Sequence, residues 1–185
     1  MNKRVAPSVL EGRTPSSHVG GRAVTISSVS AGYGDRAAIS DITLDLARGS
    51  LTAIFGPNGG GKSTLLKCIA GLMKPWSGTI EVLGAAVGVH AARVAYVPQA
   101  EQVDWSFPIA VDEVVAMGRT PRIGPLGRAS AADRAAVAKA LERVDMAGLA
   151  DRQIGELSGG QRRRVFIARA IAADAEIYLL DEPVT

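Results

Sequence analysis

Residues 51–64 read LTAIFGPNGGGKST, and this stretch decides how the rest of the chain is read. Leu51, Ala53, Ile54 and Phe55 predict a short strand, the glycines predict a loop, and Lys62 with two hydroxyls opens a helical run. Gly56, Gly61, Lys62 and Ser63 fit the spacing G-x-x-x-x-G-K-[ST] of a phosphate cradle. Glycines at 56, 59, 60 and 61, around Pro57 and Asn58, let successive N–H groups turn inward, where side chains would block a triphosphate. The following helix aims its positive end at the same anion. Lys62 would reach the β- and γ-phosphates, Ser63 would complete the shell of a Mg²⁺ ion, and Thr64 would lie near the α-phosphate. The alternative is a glycine-rich surface turn. Strand, loop and helix in the required order argue against it.

Two further stretches carry chemistry. In LSGGQ at 157–161, Ser158 is placed as a helix N-cap, and Gly159 and Gly160 leave the first N–H groups bare before Gln161. This is a second anion site, or an ordinary helix cap. In IYLLDEP at 177–183, an apolar strand delivers two carboxylates at its end. Asp181 can hold Mg²⁺ through water, and Glu182 can polarise a water for in-line attack on a γ-phosphate. Upstream, Tyr33 between Gly32 and Gly34 is either an ordinary turn aromatic or a ring that stacks on a base.

The remaining elements frame these sites. AVTISSVSAGY and AISDITLDLA predict strands, the second alternating Ile42, Leu44 and Leu46 with Thr43 and Asp45. Leu65, Leu66, Ile69 and Leu72 recur at helical spacing, stopped by Gly71 and Pro75, with Cys68 a small buried hydrophobe on that helix. SGTIEVLG predicts a strand, Arg93 to Val97 a buried strand ending at Pro98, and a helix begins near Val111. Between them Trp105 and Phe107 stand beside Pro108, either as a loop's own packing or as a contact surface for another protein. Residues 120–127, TPRIGPLG, predict a loop. Ser130 and Asp133 form a capping pair for a helix lined by Val137, Leu141 and Val144. Val165, Ile167, Ala168 and Ile171 continue the helix behind LSGGQ.

An apolar fraction of 47 % in 185 residues suits one domain with a sizeable core. No apolar run approaches the roughly 20 residues of a membrane span, so the expectation is a soluble chain linked to a membrane only through a partner. Residues 1–22 lack the apolar block of a secretory signal and predict a mobile extension. One cysteine excludes an internal disulfide and fits a reducing compartment. The net charge of +3 is scattered and aromatics make up 4 %, which argues against nucleic acid as a partner.

With the phosphate loop, LSGGQ and LLDEP together, residues 23–185 resemble the ATP-binding subunit of an ABC transporter. The resemblance implies an α/β P-loop NTPase of the ABC ATPase type, with a mixed β-sheet core, an antiparallel β subdomain and a helical subdomain at about residues 100–160. It implies that Tyr33 stacks on the base of ATP and that residues 56–64 hold its phosphates. Gln99 becomes the glutamine that senses Mg²⁺ and the membrane partner, Asp181 the Walker B aspartate and Glu182 the catalytic base. It further implies a second ATPase subunit paired head to tail, with Leu157, Ser158, Gly159, Gly160 and Gln161 reaching the ATP held by the other copy. Integral membrane permease subunits would place the chain at the cytoplasmic face of the cell membrane. VPQAEQVDWSFPIAVDEVVAMGR and ADRQIGELSGGQRRRVFIARA resemble the branch that serves manganese, zinc and related importers, with an extracytoplasmic metal-binding protein as an indirect partner. On that resemblance Trp105 and Phe107 lie near the permease's coupling helix.

In the family an aspartate-bearing loop, a further strand and a histidine at the γ-phosphate follow the acidic strand. His18 and His90 both precede LSGGQ, and the sequence runs to Thr185. The expectation is therefore a fragment of a longer ATPase that binds ATP weakly and hydrolyses it little. Two other readings stay open: a soluble ABC ATPase of DNA repair or translation, and a nucleotide-binding regulator without turnover. The first carries cysteine-rich modules or two cassettes in one chain, and here there are one cysteine and one cassette.

Overall fold

The computed structural model describes residues 8–11, 21–98, 107–124 and 127–181, and the chain divides into two compact units, Met1–Ala91 and Ala92–Thr185. In the first, β1 (Ser8–Glu11) runs antiparallel to β4 (Thr52–Phe55), the strand that leads into the glycine loop. An edge strand such as β4 offers a row of backbone donors and acceptors, and the SVLE segment supplies the matching row.

β2 (Arg22–Tyr33), β3 (Arg36–Ala47), β5 (Ser77–Val82) and β6 (Ala85–Ala86) form an antiparallel sheet in the order β3-β2-β5-β6. Alternation along β3 fixes its register, with Ile42, Leu44 and Leu46 facing Val29, Ile26 and Val24 while Thr43 and Asp45 stay exposed. A bulge between Ile26 and Val29 puts Ser28 at φ 49°, and its N–H donates to Thr43 Oγ1 at 3.0 Å. α1 (Lys62–Ile69) lies on this sheet, in contact with β2, β3 and β5. Its Leu65, Leu66, Cys68 and Ile69 are buried, as are Val24, Ile26, Ile39 and Ile80 of the strands. Each large aliphatic side chain so buried contributes about 1.5–3 kcal/mol. Burial pushes the Cys68 thiol pKa up, in keeping with a packing role.

The helix is shorter than its apolar spacing predicts. Gly71 at φ 74° takes the left-handed position, its N–H donates to Cys68 O at 3.1 Å, and the Leu72 N–H donates to Lys67 O at 2.9 Å. This pair of bonds closes the helix, so Leu72 falls beyond it and is 65 % exposed.

In the second unit β7 (Val94–Val97) pairs in parallel with β8 (Ile177–Leu180). Parallel neighbours need a long crossover, and here the crossover is the whole helical segment. It comprises α2 (Val111–Ala116), a 3-10 turn at Met117–Arg119, α3 (Thr120–Ile123), α4 (Ala131–Arg143) and α5 (Gly159–Ala173). Val111, Val115, Leu141, Met146, Ile154 and Val165 centre its core, which reaches Ala172 on α5. α5 then returns against β7 through Ala170, Ala173 and Ala95. The β7 strand is half-buried apart from Ala95, less enclosed than the sequence predicts. A second correction falls at Thr120–Ile123, predicted as loop: Pro121 occupies the first turn, where its missing N–H costs nothing.

α4 carries the predicted capping box, with the Asp133 N–H donating to Ser130 Oγ and the Ser130 N–H to Asp133 Oδ2. The sequence did not announce what joins it. Arg119 pairs with Asp133 at 2.8 Å and donates through Nη1 to Ala172 O, while Arg122 Nε donates to Ala173 O. Two arginines thus meet the orphan carbonyls at the C-terminus of α5. The Ser130 hydroxyl and N–H, followed by Arg119, lower the Asp133 pKa to about 2 from 3.8. A folded pKa below the unfolded one gives stability that is present above about pH 4 and is lost as pH falls toward about 2. Urea midpoints between those pH values should therefore drop more steeply for the native chain than for Asp133→Asn, which is already weaker at neutral pH. Parallel curves for the two would refute this.

Both parallel and antiparallel pairing, an antiparallel subdomain and a helical subdomain are present, as the α/β reading expected. Among the described residues no helix is long and apolar enough to cross a membrane.

Candidate functional site

The loop between β4 and α1 has the conformation its glycines predict. Gly59 at φ 74° and Gly61 at φ 90° are left-handed, and the Gly60 N–H donates to Pro57 O at 3.0 Å. Gly56, Pro57, Asn58 and Gly59 are exposed, Gly60 is half-buried and Gly61 is buried against β3. A Cβ on Gly59 would meet nothing within 4 Å, whereas one on Gly61 would lie 2.5 Å from Ile39 Cγ2. The loop is therefore open at Gly59, tight at Gly60, where a Cβ would lie 2.9 Å from Pro57 O, and pinned at Gly61, where the helix starts.

Lys62 folds back over the loop, its Nζ donating to Gly56 O at 2.9 Å and Pro57 O at 3.1 Å. No acidic residue stands in the first turn of α1, so nothing on that turn offsets the positive end of the helix. Ser63 is half-buried at that turn and Thr64 is buried. These donors and this cation fit a polyphosphate. Tyr33 ends β2 at a tight turn with Gly34 at φ 53° and is 58 % exposed, an available ring.

In the second unit Ser158 is the N-cap of α5. Its Oγ accepts from the Gln161 N–H at 3.3 Å, and Gln161 Oε1 accepts from the Ser158 N–H at 2.9 Å. Leu157 is buried in the helical core, while Ser158, Gly159 and Gly160 are exposed with open space at both glycines. Arg162 donates to Ile154 O and Gly155 O and ties the preceding turn to the helix; Arg163 and Arg164 point to solvent.

Asp181 follows β8 directly and is 2 % exposed. Its N–H donates to Val97 O at 3.0 Å, extending the parallel ladder by one step, and its Oδ2 accepts from the Tyr96 hydroxyl at 3.0 Å. At the other end of the pair Arg93 and Glu176 form a two-point ion pair, with Nη2 2.7 Å from Oε2. A carboxylate fixed at a strand end suits a hydrated divalent cation. Sequence reading missed Tyr96. The signal available was a tyrosine in a strand, whose hydroxyl needs a partner once half-buried. Gln99, Trp105 and Glu182 lie outside the described residues, and Phe107 is 63 % exposed.

A family model described as ABC transporter matches residues 39–185. The chain belongs to the ABC transporter family. This ABC chain is similar to the manganese transport system ATP-binding protein MntA of Synechocystis sp., 46 % identical over 165 residues that cover 88 % of it and 64 % of MntA. It is similar also to the zinc transport system ATP-binding protein TroB of Treponema pallidum, 44 % identical over 161 residues, 87 % of this chain and 60 % of TroB. The ABC chain thus spans about 60 % of the length of the relatives it matches. Among solved structures, a metal-chelate type ABC transporter in an inward-facing conformation aligns with a TM-score of 0.69 at 32 % identity, over 88 % of this chain and 60 % of that one. A nucleotide-free ATP-binding cassette aligns with a TM-score of 0.70 at 22 % identity, over 89 % and 70 %, and shares the P-loop ABC ATPase fold.

Proposed function

We propose that this chain is the ATP-binding and ATP-hydrolysing part of an ABC importer for divalent metal ions, manganese, zinc or iron. The observation that carries the reading is the presence, on one chain, of an open glycine loop under Lys62 and an open helix N-terminus capped by Ser158. In this reading residues 56–64 grip the phosphates of ATP and Tyr33 stacks on its base. Ser63, Gln99 and Asp181 would hold Mg²⁺, which when bound neutralises charge on the β- and γ-phosphates. Glu182 accepts the proton of the attacking water.

Two copies pair head to tail, so that residues 157–161 of one close over the ATP of the other. Closure and reopening would drive permease subunits at the cytoplasmic face of the membrane, fed by an extracytoplasmic metal-binding protein. The metal class rests on the names of MntA and TroB and on the metal-chelate transporter.

A mixed-copy experiment tests the pairing. One copy carries Ser158→Cys together with Lys62→Ala, so its own loop is disabled; the other keeps Lys62 and Ser158. A thiol-reactive ATP analogue should label the first copy only when the second is present, with Cys68 buried and silent. Labelling independent of the second copy would remove the head-to-tail arrangement, and failure to co-purify with any membrane permease would remove the importer role.

A further inference from the structure

We infer that Tyr96 is a positioning residue for Asp181 and, through it, for the divalent cation; this rests on the reading of Asp181 as a Mg²⁺ ligand given above. The register supports the inference. Parallel pairing sets Tyr96 opposite Leu179, and in a strand residues 179 and 181 share a face, so the phenol lies on the Asp181 side of the pair and reaches one step along it. The hydroxyl donates to Oδ2 at 3.0 Å. With the backbone N–H held by Val97 O and the residue 2 % exposed, that bond fixes the rotation of the carboxylate about its last torsion.

The Arg93–Glu176 pair holds the opposite end of the same two strands. A slip of one residue would carry Tyr96 to the other face and break its bond to Asp181. Partners one step removed from a metal ligand set its orientation, and their loss typically weakens metal affinity about 10- to 100-fold.

The test uses Mn²⁺ as a paramagnetic probe, titrated into the full chain with a non-hydrolysable ATP analogue. Tyr96→Phe should weaken Mn²⁺ binding about tenfold while nucleotide affinity in excess EDTA stays at the native value. Incorporating 4-aminophenylalanine at position 96, which restores a donor on the same ring, should recover most of the loss. Asp181→Asn, run alongside, separates the two layers of the claim. If it weakens Mn²⁺ and Tyr96→Phe does not, the Tyr96 role is overturned and the Asp181 assignment stands. Native Mn²⁺ affinity in both variants overturns both. A loss in Tyr96→Phe that the amino ring does not restore points to packing alone and also overturns the role.

Discussion

Lys62→Ala should lower ATP affinity about 100- to 1000-fold, a loss that titration calorimetry or a fluorescent nucleotide would read. The ammonium already lies on the loop, bonded to Gly56 O and Pro57 O, so little reorganisation separates this position from one on the β- and γ-phosphates. Two charge-assisted hydrogen bonds at about 1.5–3 kcal/mol each set the scale, and each 1.4 kcal/mol is about a tenfold change. The helix N-terminus remains in the variant and accounts for the residual binding. Lys62→Arg should recover little, because a planar fork does not fit where a compact point charge sits among loop carbonyls. A change below about threefold in Lys62→Ala would mean the loop is no phosphate site, and the proposed function would fail with it.

Gly61→Ala should destabilise the first unit by about 2–5 kcal/mol, the sum of a left-handed backbone penalty and overpacking. Its Cβ would stand 2.5 Å from Ile39 Cγ2 and 2.6 Å from Ala38 O, at φ 90°. The second neighbour is backbone of β3, which cannot move without disturbing its pairing with β2. Gly59→Ala is the internal control: φ is 74° but nothing lies within 4 Å, so only the backbone penalty of about 1–2 kcal/mol applies. Urea midpoints of the two variants decide the matter. Equal losses would show that the close approach of Gly61 to β3 does not constrain the loop.

The contrast between these two glycines marks where sequence reading ends. Spacing alone predicts the loop, the helix behind it, the Ser158 and Ser130 caps and the strand into Asp181, because each depends on residues within about one turn of one another. The stop at Gly71 is legible too, yet the apolar period carries on to Leu72, past the point where the turn chemistry closes the helix. At Thr120–Ile123 a proline within the segment and a glycine after it signal a loop, although a proline in the first turn is compatible with a helix. What could not be read was pairing across distance. Arg119 to Asp133 and Ala172, Tyr96 to Asp181, and β1 to β4 each join segments whose meeting is set by tertiary packing. The role of Gln99 rests on resemblance and that of Glu182 on its place after the apolar strand, and both residues lie outside the described ones.

The parallel pairing of β7 with β8 has a kinetic consequence. Val94 and Ile177 pair across the whole helical segment, and closing so long a loop costs entropy before any contact rewards it, so the ladder that presents Asp181 is expected to close late, behind the collapse of the helices. Mutations in that helical core should therefore slow the maturation of the acidic strand end even when they leave its final geometry intact. Pulsed hydrogen exchange during refolding should show the Asp181 amide protected after those of α4 and α5, and earlier protection would refute this order.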